Sequence, residues 1–359
     1  MRTFSLLLAA LALIAMPAHA VDWQIRSTQR DIVLKDFRFG TGERMDVRMR
    51  VTTLGTPHRD ARGRIDNAAM VLHGTGGSGA QFFRAQFADE LYGPGQPLDL
   101  ATTYVILPDN LGHGGSSKPS DGMRMAFPRY DYADMVLAQK RMLEEGLGVR
   151  KLRLILGTSM GCMHAFVWGT NWPGFAERLA PFACNAVPIA GRNRVWRKMA
   201  IDAIKADPAW QGGNYTAPPA AGLRTQRDLS LIAGGNPLAW QAQYPTREDA
   251  EAFLAEAETA YAATANDAND TIYQLDSSRS YDPSPLIAKI TVPVLWVNSA
   301  DDFINPPELA LAERLVTQML RARFVLIPAS TQTKGHGTHT WAKFWKVDLV
   351  NLLAEKAAQ

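Results

Sequence analysis

Leu152-Arg153-Leu154-Ile155-Leu156-Gly157-Thr158-Ser159-Met160-Gly161 is the stretch that decides how this sequence folds. Its apolar run suits a strand buried on both faces of a sheet. Gly-x-Ser-x-Gly follows, and residues 160–171 then read as a helix. A serine in that context sits on a sharp strand-to-helix turn, where small neighbours let the two elements approach closely. The helix N-terminus and the Met160 N–H would face an oxygen that becomes negative. Gly-x-Ser-x-Gly also occurs as a plain glycine-rich turn with a capping serine. The strand before and the helix after favour a nucleophile at Ser159.

Working outward, short apolar runs at 69–72, 104–107, 292–297 and 324–327 are bounded by Gly, Asp or Pro, as buried parallel strands are. Residues 31–39 and 45–53 alternate loosely, like two opening antiparallel strands. Helical patterns at 132–145 and 307–320 lie between strands. The expected fold is α/β, a mostly parallel sheet flanked by helices. Residues 191–285 break the rhythm with amphipathic pieces at 195–206 and 247–263 and Pro- and Gly-rich joints. They read as a helical lid inserted over one end of the sheet, dividing the core into 21–190 and 286–359. The alternative is an independent helical domain.

An acyl-transfer serine needs an acid and a base, expected later in the chain in the order Ser, acid, His. The acid should follow a late strand, and Asp301-Asp302-Phe303-Ile304-Asn305-Pro306 follows residues 292–298. Asp302 is preferred, Asp301 is its competitor, and helix capping is the bland role for either. The base should follow the last strand, where Lys334-Gly335-His336-Gly337-Thr338-His339 stands. His336 is flanked by glycines and suits a loop tip; His339 reads as a supporting residue. This His pair lacks the i, i+4 spacing and adjacent Glu of a zinc protease, so no metal is expected. A second oxyanion donor should come from Met70-Val71-Leu72-His73-Gly74-Thr75-Gly76-Gly77, with the Thr75 N–H opposite that of Met160. This turn lacks the Lys of a phosphate-binding loop.

The 359 residues, 47% hydrophobic and 20% charged, are enough for a large core. A net charge of +3 without a long basic run argues against a nucleic-acid partner. Arg2, an apolar run over 6–16 and Ala18-His19-Ala20 have the order of a signal peptide over 1–20, which points to a periplasmic or secreted protein. No integral membrane span is expected after cleavage. Cys162 and Cys184 fit either one disulfide or two buried thiols.

These pieces together resemble the α/β-hydrolase superfamily, as does Pro108-Asp109-Asn110-Leu111-Gly112-His113-Gly114-Gly115-Ser116-Ser117. Within it, the chain is similar to the homoserine O-acetyltransferase family. That likeness rests on Tyr92-Gly93-Pro94-Gly95, Ser159-Met160-Gly161, Asp207-Pro208-Ala209-Trp210, Gly212-Gly213-Asn214-Tyr215 and Gly222-Leu223. It runs from about 68 to 345 and implies a triad of Ser159, Asp302 and His336 beneath a helical lid. It also implies that Arg227 holds a substrate carboxylate. Departures are Gly74-Thr75 in the oxyanion turn, Cys162 where the family has Gly, and Ala233-Gly234-Gly235-Asn236 in place of a Thr-Tyr stretch. The expected function is hydrolysis of a small acyl ester or amide through an acyl-enzyme, without a cofactor. The alternative is acyl transfer to an alcohol or amino-acid acceptor, and a non-enzymatic binding protein on the same scaffold is the third reading. The partner is a small-molecule acyl substrate; the oligomeric state is left open, a homodimer included.

Overall fold

The computed structural model describes residues 22–262 and 266–356. The expected signal peptide lies outside them. Eight strands form one sheet: β1 (Thr28–Arg38), β2 (Arg44–Leu54), β3 (Ala68–Leu72), β4 (Tyr104–Pro108), β5 (Leu154–Thr158), β6 (Leu179–Phe182), β7 (Val294–Ser299) and β8 (Ala322–Ile327). Their order is β1-β2-β4-β3-β5-β6-β7-β8. From β4 to β8 neighbouring strands pair in parallel, and β2 pairs antiparallel with β1 and β4. The α/β expectation therefore holds.

Side chains on a strand alternate between faces, and the apolar runs divide accordingly. Met70, Leu72, Ile155 and Trp296 pack into one core layer. Ala69, Val71, Leu154, Leu156, Leu295 and Val297 pack into the other. Strands apolar at every position are needed because both faces are covered.

Three local expectations are corrected. β6 was not foreseen: it is four residues long and contains Pro181, which cannot donate to the ladder and reads against a central strand. The helix expected over 132–145 ends as Tyr132–Arg141 and continues as a wider turn at Met142–Gly146. The segment 307–320 breaks where Ala310 turns left-handed (φ 48°), separating a short turn, Pro307–Leu309, from a helix, Leu311–Val316.

Between β6 and β7 the described chain is helical, including Gly191–Ala206, Ala220–Gly234, Pro237–Gln243, Arg247–Ala262 and Ala268–Asp276. Ala200, Ile201, Ile204, Leu223, Ile272 and Leu275 give this segment a small core of its own. Trp196, Trp210 and Tyr215 pack against that core, so their apolar bodies serve packing. Among the described residues no helix is long and apolar enough to cross a membrane.

Cys162 and Cys184 form a disulfide. It joins the helix after β5 to the end of β6, and both residues are buried. The bond closes a loop with a sequence separation of 22. Its removal, by dithiothreitol or by replacing both cysteines with alanine, is expected to lower unfolding free energy by about 3 kcal/mol. Urea titrations with and without reductant measure this, and coincident curves would refute it.

Candidate active site

The strand-to-helix turn at Ser159 is held by backbone packing. Ser159 has φ 55° and ψ −111°, a conformation that a residue with a side chain rarely adopts. Its N–H donates to the Phe182 carbonyl (2.8 Å), and the Gly161 N–H donates to the His73 carbonyl (3.1 Å). A Cβ at Gly157 would lie 2.0 Å from the Gly161 carbonyl oxygen, and one at Gly161 would lie 2.2 Å from that of Leu72. Any larger residue at either position would push the helix Met160–Asn171 off the sheet.

Three side chains from three chain segments meet there. Ser159 Oγ lies 2.8 Å from His336 Nε2, and His336 Nδ1 lies 2.8 Å from Asp302 Oδ2. With Nδ1 donating to the carboxylate, Nε2 is free to accept the serine proton. Asp302 is fully buried at its side chain. The same carboxylate accepts from Ile304 N (2.8 Å), Asn305 N (3.2 Å) and Asn305 Nδ2 (2.9 Å). Burial raises the Asp302 pKa, but the His336 charge and these hydrogen bonds outweigh it and hold the carboxyl below its ordinary value.

The competitor Asp301 has another task. Its carboxylate accepts from Ser299 Oγ, Thr333 Oγ1 (2.7 Å) and Gly335 N (3.0 Å), which anchors the loop carrying His336. His339 is half-buried against His336, with ring centroids 5.2 Å apart. Burial, reinforced by the His336 charge, pushes its pKa down to about 3 and keeps it neutral. Among the described residues no group of three or more His, Cys, Asp or Glu could hold a metal ion.

The glycine turn after β3 reaches the serine. A Cβ at Gly74 would lie 3.2 Å from Ser159 Cβ. Among the described residues neither the Thr75 nor the Met160 N–H donates to a protein acceptor.

Arg227 is not brought into this group. Its guanidinium lies 5.2 Å from the Tyr261 ring centroid, and it shares a small cleft with Leu231, Leu254 and Ala257 on the face toward Arg247–Ala262. The departure Ala233-Gly234-Gly235-Asn236 has a structural role that the sequence concealed. Gly335 (φ 56°) packs so tightly on Gly235 that a Cβ there would lie 2.3 Å from the Gly235 carbonyl oxygen. Asn236 Nδ2 donates to the carbonyls of Ser330 (2.9 Å) and Thr333 (2.6 Å). The helical segment thereby supports the His336 loop. A cavity of about 1020 Å³ is lined by Val187, Ile189, Ile232, Trp240, Asp302 and Phe303, among others; its lining does not include Ser159 or His336.

Known proteins place this geometry in a family. The model of the "Alpha/beta hydrolase family" matches residues 70–342. A "Probable acyltransferase" of Methanothermobacter thermautotrophicus is 30% identical over 77% of this chain and 83% of its own. A homoserine O-acetyltransferase of Solidesulfovibrio magneticus is 37% identical over 47% of this chain, a match spanning 46% of that enzyme's length. Among solved structures, homoserine O-acetyltransferase from Bacillus anthracis superposes with a TM-score of 0.81 at 21% identity, covering 93% of this chain and 99% of that one. The acetyl esterase MekB superposes with a TM-score of 0.79 at 22% identity, covering 92% and 98%. The chain belongs to the alpha/beta hydrolase family, as an enzyme of its hydrolase and acyltransferase type resembling homoserine O-acetyltransferase.

Proposed function

We propose that this protein is a serine hydrolase that cleaves a small acyl ester, or amide, through an acyl-enzyme. The observation carrying this reading is the unbroken chain from Ser159 Oγ through His336 to Asp302, with both links at 2.8 Å. Ser159 Oγ attacks the carbonyl carbon as His336 Nε2 takes its proton. Asp302 holds the ring orientation and stabilises the imidazolium. The N–H groups of Thr75 and Met160 donate to the oxyanion. His336 returns the proton to the leaving alcohol or amine, and the acyl group remains on Ser159. Water, deprotonated by His336, then releases the acid.

The second reading is transfer of the same acyl group to an alcohol or amino-acid acceptor. The names of the acyltransferase relatives favour it. Hydrolysis is preferred for two reasons. Arg227, the residue the family resemblance would use for the acceptor carboxylate, lies against Tyr261. The buried disulfide suits an oxidising compartment, which agrees with a cleaved export signal and a periplasmic or secreted protein. Acetyl-CoA is a cytosolic acyl donor and is not expected there.

Ser159→Ala should lower kcat/KM for acetyl esters by at least about 10⁴-fold. Asp302→Asn should lower kcat by about 10³–10⁴-fold, and Asp301→Asn by less than about tenfold, because Asp301 bonds Ser299, Thr333 and the Gly335 N–H rather than the imidazole. Steady-state rates on p-nitrophenyl acetate decide between the two aspartates; equal losses would refute the assignment. A fluorophosphonate probe should label Ser159 in the wild type and fail to label His336→Ala, read by peptide mass. Product masses with and without homoserine separate the two reactions. Acid release that does not depend on acceptor supports hydrolysis, and O-acylhomoserine as the main product supports transfer.

A further inference from the structure

One cleft at the edge of the helical segment gathers cations without enough anions. Its volume is about 300 Å³, and it lies between the helix Gly191–Ala206, the helix Ala268–Asp276 and the loop from Met125 to Arg129. Arg129, Arg194, Lys198, Lys205 and Arg279 line it, facing the carboxylates of Asp202 and Asp276. Its lining includes none of Ser159, Asp302 and His336. Arg194, Lys198 and Lys205 follow a helical spacing, so one face of Gly191–Ala206 carries all three. Arg197, on another face of that helix, is 2% exposed and lies outside the cleft lining.

Pairing leaves much of this charge unspent. Three arginines share Asp276: Arg129 bonds it at 2.6 Å, whereas Arg194 and Arg279 stand 3.7 Å away. Lys198 takes Asp202 at 2.5 Å. Arg279 donates to the carbonyls of Tyr130 (2.9 Å) and Arg129 (2.6 Å), which fixes its position and leaves its charge. Arg194 Nη1 is buried and has no hydrogen-bond partner. Among the described residues Lys205 pairs with no carboxylate; its Nζ stands 5.9 Å from the Trp210 ring centroid. Beneath these cations Ile201, Ile272 and Tyr273 are buried and form an apolar floor.

Cations held together repel one another, and a cleft lined by one sign of charge draws in counter-ions. Five cations face two carboxylates here, so a single further negative charge would not balance the cleft. A phosphate monoester carries close to two negative charges and three acceptor oxygens. Arginine forks pair with phosphate oxygens through two hydrogen bonds at once. The apolar floor suits an organic group attached to the phosphate. We infer that this cleft is a binding site for a small organic phosphate monoester, distinct from the serine site. Its cations come from the helical segment and from the Met125 to Arg129 loop, so the occupant ties the two together. The site stands whether or not Ser159 hydrolyses esters.

Calorimetry on the wild-type protein, at fixed ionic strength and without phosphate or sulfate in the buffer, tests this with phenyl phosphate, inorganic phosphate and benzoate. Phenyl phosphate should bind one site per chain with a Kd of about 1 mM or below, at least about tenfold tighter than benzoate and about threefold tighter than inorganic phosphate. Lys198→Gln with Lys205→Gln, both exposed positions, should weaken it about tenfold or more while leaving the urea midpoint and the p-nitrophenyl acetate rate unchanged. Arg194→Gln should weaken it similarly, and Arg194→Lys less. Arg62→Gln removes an exposed charge elsewhere and should leave binding as it is. Absence of phenyl phosphate binding, benzoate binding as tightly, or equal weakening by Arg62→Gln and the cleft variants would overturn the inference. Inorganic phosphate binding as tightly as phenyl phosphate would overturn its organic part.

Discussion

The rest of the site depends on one backbone constraint, the left-handed turn that holds Ser159 between β5 and its helix. That conformation is unfavourable for any residue with a side chain, by about 1–3 kcal/mol. It persists because the surroundings leave the chain no other path. The Gly157 and Gly161 backbones are in contact, Gly161 rests on β3, and the Ser159 N–H is claimed by the end of β6. The sheet thus spends packing energy to present one hydroxyl at the ends of its strands.

The partners of Ser159 are positioned by a different device. Asp302 and His336 sit on loops, and loops need external support to hold a hydrogen bond at 2.8 Å. Asn305 braces Asp302, while Asp301 and Thr333 brace the His336 loop. Asn236 and Gly235 supply the final contact from the helical segment. A segment that reads as an insertion in the sheet therefore helps to hold His336. Two adjacent aspartates divide the work, one aligned with the imidazole and the other with the Ser299 and Thr333 hydroxyls and the Gly335 N–H.

Much of this was legible in the residues. Apolar runs of four to six residues marked the buried strands, because a strand covered on both faces admits no polar alternation. Gly-x-Ser-x-Gly marked the strained turn at Ser159, because only glycine tolerates those backbone contacts. β6 was hidden because Pro181 contradicts strand chemistry and is tolerated only in its tertiary setting. The place of Arg227 beside Tyr261 was not legible, because sequence position on a helix does not say which face of the segment meets the core. Arg197 carried no signal at all: one arginine among three in Arg192–Arg197 looks like a solvated face until burial singles it out.

The sequence by itself determined the α/β class, the candidate order Ser159, Asp302, His336, and the helical character of the segment between β6 and β7. Those features depend on local rules of periodicity, turn sterics and chain order. Only the tertiary structure decided that Asp302 rather than Asp301 meets His336, that the cysteines are joined, that Arg227 lies beside Tyr261, and that Arg197 is buried with no carboxylate partner among the described residues. Each of those depends on which side chains from distant segments converge, and on how much water their packing leaves behind. Residue spacing along a chain does not encode either quantity.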